Sequence, residues 1–266
     1  MAIDPTARIH ASAVIEPGAI VGPDCEVGPF CLLGPEVKLG RGVRLRSHVS
    51  VVGWTEIGDE TEIWPFANIG DIPQDKKFSG ERTRLTVGAR NRIREGVTMN
   101  TGTEGGGGIT RVGDDGLFLA NAHVAHDAQV GDRVVMVNCA SLAGHCVVGD
   151  DVIIGGLSGV HQFVRIGPGA IIGAVTMVTH DVIPYGLVHA SRGALEGLNL
   201  VGLKRRGVAK EDITALRAAF QALAQGEGSF HERAARLANE QPTSQYVRDM
   251  VDFVLGASDR SFLTPG

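Results

Sequence analysis

Residues 3–33 read IDPTARIHASAVIEPGAIVGPDCEVGPFCLL, and every sixth residue of that stretch is aliphatic: Ile3, Ile9, Ile15, Val21, Val27 and Leu33. The series continues through Leu39, Leu45, Val51, Ile57 and Ile63 to Ile69, twelve positions without a miss. A second series of twelve apolar positions runs from Val112 to Val178, and Val87, Ile93 and Met99 hold the first phase between the two. Glycine often follows the apolar residue, as at Gly22, Gly131 and Gly149, which suits a turn or a close backbone approach. A hexapeptide period is a signature of the parallel β-helix. Each hexad supplies a short strand and a corner, and three hexads close one triangular coil. Coils stack about 4.8 Å apart, so each apolar residue sits on its like from the coil below. The expected fold class is an all-β solenoid, a parallel β-helix.

The hexads define a β-helical domain over residues 1–190. Two segments break the pattern, 71–86 (DIPQDKKFSGERTRLT) and 100–111 (NTGTEGGGGITR), and both are expected as loops thrown out of the solenoid, where binding groups concentrate. After Pro184 the period changes. Ile213, Leu216, Phe220 and Leu223 follow helical spacing, as do Val247, Val251, Val254 and Leu255, so residues 191–266 are expected to form a helical cap.

Composition agrees with a slender, repetitive core: the 266 residues include 37 glycines, and only 5% are aromatic. Glycine does not recur every third residue, which excludes collagen. A chain that is 43% hydrophobic with a net charge of −5 is too apolar for disorder, and its acidic balance argues against nucleic acid. The start has no basic segment followed by an apolar run, and nowhere do eighteen apolar residues run together, so no membrane span and a cytoplasmic location are expected. The four cysteines lack CxxC spacing, which argues against a zinc site or disulfides. Cys25, Cys31 and Cys146 each stand two residues before an aliphatic position and are expected to point inward. Nothing marks Cys139 as a nucleophile.

The same phase sorts the histidines. His126 lies two residues after Val124, an outward position, and a full coil further on stand Gly144 and then Gln162. His123, His145 and His161 flank that column, so four histidines collect on one region of the wall.

These motifs, Asn121-Ala-His-Val-Ala-His-Asp127, Leu142-Ala-Gly-His145, Val160-His-Gln-Phe163 and Gly202-Leu-Lys-Arg-Arg-Gly207, resemble the UDP-N-acetylglucosamine acyltransferases of the lipid A pathway. The resemblance extends over essentially the whole chain. It implies a left-handed coil, an exception to the usual right-handed crossover, and a homotrimer with sites in the clefts between subunits. It further implies transfer of a 3-hydroxyacyl chain from acyl carrier protein to the 3-hydroxyl of UDP-N-acetylglucosamine, with no cofactor beyond the two substrates.

A sugar hydroxyl is too weakly acidic to attack a thioester unaided, and a histidine with a pKa of about 6.5 suits the work of a general base. By resemblance that base is His126, Asp127 orients it, and the Gly144 amide receives the oxyanion. Side chains at successive strand positions diverge, which leaves the Asp127 contact open to the neighbouring subunit. His123, His145, His161 and Gln162 match substrate-contacting positions, and Gln74, Asp75 and Lys77 match loop residues near the sugar and phosphates. Asn199 and Arg205 match nucleotide-contacting positions. Arg192, Lys204, Arg205 and Arg206 form a basic patch suited to an acidic carrier protein and a pyrophosphate.

Three departures bear on specificity. Ala174 stands where long-chain members carry glycine beside the acyl groove, which points to chains shorter than about fourteen carbons, since one methyl in a measured slot changes selectivity. Asn100 replaces a loop histidine and Val201 replaces a glutamate, which opens the 3-amino analogue of the sugar as an acceptor. Other classes fit less well. A γ-type carbonic anhydrase shares the prism but needs three converging imidazoles, and here the coil neighbour of His126 is Gly144. The sister N-acyltransferase carries an extra N-terminal domain before its hexads, whereas hexads here begin at Ile3. A scaffold without activity leaves the histidine band unexplained. The Gly105 to Gly108 run lacks the Gly-Lys-Ser/Thr of a phosphate loop and is expected to be a flexible loop.

Overall fold

The computed structural model describes residues 2–189, 194–258 and 260–264. Strands of mostly two residues alternate among three parallel walls, which coil into a left-handed parallel β-helix. The first wall has nine strands, from Ala2–Ile3 to Arg165–Ile166. The second runs from Arg8–Ile9 through Ile171–Ile172, and the third from Val14–Ile15 to Met177–Val178. Register follows the coil length: Val124 pairs with Leu142, Leu142 with Val160 and Val160 with Val178.

The expected inward positions are buried. Leu33, Ile63, Ile69 and Leu142 are wholly shielded, and the inward cysteines Cys25, Cys31 and Cys146 are buried with them. Cys139 is exposed. So narrow a core is filled by aliphatic side chains stacked like on like, so few aromatics are needed.

Most corners carry a residue in the left-handed region. Phe30, His48, Asp115, Asp127, His145 and Phe163 all have φ between 56° and 66°. A non-glycine residue in that region is disfavoured by about 1 kcal/mol or more, and the ladder bonds and core burial on either side offset it. The three edges differ in chemistry. Between the second and third walls it is apolar: Phe30 and Phe66 flank His48, with Leu157 and Val175 further along, and the four apolar side chains are 62–68% exposed. Between the first and second walls it is a charged ladder, in which Arg90 pairs with Asp114 and Asp115, and Arg133 with Asp150 and Asp151. The third edge holds Asp127, His145 and Phe163.

Both expected loops leave from that third edge, after the third-wall strands Asn68–Asp71 and Thr98–Asn100, but they are shorter than the hexads suggested. The flanking strands Arg84–Val87 and Ile109–Val112 lengthen to four residues and pair fully, which leaves 72–83 and 101–108 as loop. The boundary near residue 190 also shifts in character. Gly186–His189 still pairs in parallel with the Ile171–Ile172 strand, and Ala194–Leu198 then turns back antiparallel to it. The C-terminal unit therefore opens with a strand before its helices α1 (Leu200–Arg205), α2 (Lys210–Ala224), α3 (Phe230–Asn239) and α4 (Gln245–Leu255). α2 buries Leu216, Ala219 and Leu223, and α4 buries Val247, Met250, Val251 and Val254. α3 went unforeseen in the periodicity because only Ala234 of its residues is buried; a capping box of Ser229 and Glu232 marks its start.

Candidate active site

His126 and Asp127 occupy the third edge at the end of the His123–Val124 strand. His126 is outward of the prism, as its phase requires, yet only 4% exposed, because the neighbouring coil and a loop cover it. Its Nδ1 lies 2.8 Å from Asp127 Oδ2. The contact is made within one chain, so the divergence expected of successive strand residues does not apply. Asp127 sits at the corner with φ 60°, and the left-handed turn swings its carboxylate back toward the imidazole.

The buried carboxylate is compensated by the second loop. Thr103 donates its backbone N–H to Asp127 Oδ1 at 2.8 Å and its hydroxyl to Oδ2 at 2.6 Å. Asp127 N–H in turn donates to Thr110 Oγ1 at 2.7 Å. A Cβ at Gly106 would fall 2.1–2.3 Å from the carboxylate atoms. The glycine-rich run expected to be merely flexible is thus a clamp over Asp127, and glycine lets its backbone close in. Thr103, Gly106 and Thr110 were missed in the sequence. The available signal was phase: Ile69 and Met99 belong to the same wall as Val124, so both loops had to emerge at the His126 corner.

Gly144 stacks one coil above His126, and a Cβ there would lie 2.4 Å from the imidazole Cε1. Only glycine leaves the ring its place. Prolines at the same phase, Pro17, Pro29, Pro35 and Pro168, show that this corner position does not use its N–H in the ladder. The Gly144 N–H accordingly has no hydrogen-bond partner among the described residues, and neither has His126 Nε2.

His145 packs face to face on Phe163, with centroids 4.4 Å apart, and edge-on to His126 at 5.1 Å. Burial holds its pKa below the usual histidine range, and the His126 ring adds to the shift while Asp127 opposes it. The charges of Asp75 and Lys77 also act on it, which places the first loop close by. Asp75 accepts the Lys77 N–H at 3.0 Å. His123, hydrogen-bonded through Nδ1 to Thr98 Oγ1 at 2.7 Å, is likewise lowered by burial, and then by His126. Gln74, His123, His126, Gly144, His161 and Gln162 line a groove of about 400 Å³ on the third wall, with Met177 at its far side.

Other expected residues lie elsewhere in the chain. Asn199 caps α1, accepting from Gly202 N–H at 2.9 Å and donating to Gly169 carbonyl at 3.0 Å, which puts it on the charged edge. Lys204, Arg205 and Arg206 are exposed at the opposite, C-terminal end of the same helix. Arg192 lies outside the described residues. Ala174 is exposed at the apolar edge of the third wall, beyond Met177. Asn100 is buried and donates to the Ile72 carbonyl at 2.9 Å, so it anchors the first loop and does not line the groove.

Two alternatives to base catalysis have little support in this geometry. Burial pushes the Cys146 thiol up to about 12, so that side chain is no ready nucleophile. His126, Asp127 and His145 bring ligand-capable atoms within 4.8 Å of one another. Both Asp127 oxygens already accept from Thr103, which favours a hydrogen-bonded trio over a metal centre.

Comparison with known proteins is decisive. Over 263 residues, covering 99% of this chain and 97% of the relative, the chain is 48% identical to an acyl-[acyl-carrier-protein]--UDP-N-acetylglucosamine O-acyltransferase of Rhizobium johnstonii. The chain belongs to the UDP-N-acetylglucosamine O-acyltransferase family. A family member from Paracoccus denitrificans is 67% identical over 203 residues, 76% of this chain and 77% of that protein. The UDP-N-acetylglucosamine acyltransferase structure from Campylobacter jejuni superimposes with a TM-score of 0.92 at 35% identity, covering 97% of this chain and all of that one. Residues 181–263 match the family model described as "Udp N-acetylglucosamine O-acyltransferase; Domain 2", so the C-terminal unit is as much a family feature as the solenoid.

Proposed function

We propose that this chain transfers a 3-hydroxyacyl group from acyl carrier protein to the 3-hydroxyl of UDP-N-acetylglucosamine, the first step of lipid A biosynthesis. The observation that carries the reading is the column in which His126, held by Asp127, presents an Nε2 beside the N–H of Gly144, both without a partner among the described residues.

His126 Nε2 takes the proton of the sugar hydroxyl as its oxygen attacks the thioester carbonyl carbon. Negative charge moves to the carbonyl oxygen, where a positioned amide such as Gly144 N–H is worth about 3 kcal/mol. Asp127 stabilises the imidazolium formed. Collapse breaks the carbon–sulfur bond, and the departing carrier thiolate recovers the proton from His126. Gln74, Asp75 and Lys77 on the first loop, with His123, His145, His161 and Gln162, hold the sugar nucleotide and donor in the groove. The acyl chain crosses the third wall past Met177 toward Ala174. No cofactor or metal takes part.

The working unit in this reading is a homotrimer. An exposed apolar edge of Phe30, Phe66, Leu157 and Val175 is a surface that soluble proteins ordinarily cover. Asn199, Lys204, Arg205 and Arg206 sit on a different edge from His126, where they serve a groove on an adjacent subunit and receive the acidic carrier. The reading is of a cytoplasmic enzyme; among the described residues no helix is long and apolar enough to cross a membrane.

The test mixes the purified protein with UDP-N-acetylglucosamine or its 3-amino analogue and 3-hydroxyacyl carrier proteins of graded chain length, with products read by mass. An ester product that vanishes in His126→Ala is expected. Absence of product from every pair overturns the reading.

A further inference from the structure

A second cluster of buried polar groups lies away from His126, where the C-terminal segment meets the first wall. Asp181 is fully buried and accepts from Arg165 twice, through the backbone N–H at 2.8 Å and through Nε at 2.7 Å. Its Oδ2 also accepts the Ser258 hydroxyl. The Asp181 backbone pairs with the chain end, donating to the Ser261 carbonyl at 2.9 Å and accepting from Leu263 N–H at 2.8 Å. Arg165 donates to the Ala257 carbonyl at 2.9 Å and lies over the rings of Phe253 and Phe262.

A buried ion pair is weak evidence for added stability, because desolvation consumes most of what it gains. Its effect here is geometric: it fixes residues 257, 258 and 261–263 against the wall. Arg260 stands between those fixed points, with its N–H donating to Ser258 Oγ at 3.1 Å. From there its guanidinium reaches His161, with Nη2 3.1 Å from the imidazole Nδ1.

His161 Nδ1 therefore lies between two unlike partners, the Arg260 guanidinium and the Gln162 carbonyl at 3.2 Å. A carbonyl can only accept and would draw a proton onto Nδ1. A guanidinium can only donate, so Nδ1 must accept and the proton of the neutral ring must sit on Nε2. His161 Nε2 has no partner among the described residues, and His161 lines the groove.

We infer that Arg260 is a positioning residue, which sets the tautomer of His161 so that its Nε2–H is offered to an acceptor oxygen of a bound substrate. The C-terminal segment, locked through Asp181, delivers this cation to the groove. The tautomer assignment stands on the geometry alone, and the substrate contact rests on the acyltransferase reading.

The test uses the full-length protein, labelled at histidine, with the His161 signals identified by their loss in His161→Asn. In slightly alkaline buffer, proton–nitrogen correlation spectra of the wild type are expected to show His161 protonated at Nε2, and those of Arg260→Ala to show the shift toward Nδ1. Arg260→Lys, which keeps a donor, restores the Nε2–H form. In the acyl-transfer assay Arg260→Ala raises one substrate's KM roughly two- to tenfold, as loss of one hydrogen bond would, while kcat changes little. An Nδ1-protonated wild type, or a tautomer indifferent to Arg260→Ala, overturns the inference. A tautomer change with unaltered kinetics upholds Arg260's control of the ring but overturns His161 as a substrate contact.

Discussion

His126 Nδ1 and Asp127 Oδ2 stand 2.8 Å apart although the two residues are consecutive, because the left-handed corner at Asp127 folds its carboxylate back over the preceding ring. The pair is further fixed by Thr103, so the base is oriented before any substrate arrives. Removing the ring by His126→Ala should lower kcat by about 10²–10⁴, the usual contribution of a positioned general base. Steady-state rates checked against an unchanged melting temperature decide it; a variant within tenfold of wild type sinks His126 as the base.

Thr103→Val deletes the hydroxyl that Asp127 Oδ2 accepts while keeping the backbone bond to Oδ1. A fall in kcat of roughly tenfold is expected, with KM little changed, since a hydrogen bond to a charged group contributes about 1.5–3 kcal/mol and part of it acts through orientation. Kinetics of Thr103→Val beside Thr103→Ser, which should retain most activity, test the clamp.

Gly144→Ala places a methyl where the His126 ring now lies, 2.4 Å from Cε1. The ring must move away from the oxyanion position, and kcat should fall by about 10²–10³, as when one oxyanion donor is lost. Activity close to wild type would remove Gly144 from the mechanism.

Burial keeps His123 and His145 below the ordinary histidine pKa. In the unfolded chain these rings bind protons near pH 6.5, whereas the folded chain binds them only at lower pH. Their contribution to stability is therefore held above about pH 6.5 and lost as pH falls toward the folded values. The melting temperature should drop on acidification through that window, and His145→Asn should flatten the dependence. A melting profile that is flat there would contradict the assignment.

Assembly and chain length are open to direct measurement. Sedimentation should give three times the 28.0 kDa chain mass, and Phe66→Arg on the apolar edge should yield monomers without activity. Ala174→Gly should shift the preferred donor to a longer acyl chain; an unchanged preference would free Ala174 of any measuring role.

Much of this was legible in the hexads. Counting by six gave the walls, the inward cysteines and the stack of His126, Gly144 and Gln162, because a solenoid makes spatial neighbours of residues one coil apart. The count could not show that Asp127 meets His126 in the same chain, since that depends on one backbone turn. Nor could it show the Thr103 clamp, the antiparallel strand Ala194–Leu198 or Arg260 beside His161.

What the sequence by itself determined is everything repeated: core, corners and the phase of the histidine column, since the same local rule is applied at every hexad. What only the tertiary structure decided is everything that happens once. Loops 72–83 and 101–108, the helices and the C-terminal segment stand outside the hexad period, and their landing places follow from long-range burial and hydrogen bonding to Asp127, Asp181 and the wall. The site sits where the two meet, on a corner fixed by the repeat and completed by segments that escape it.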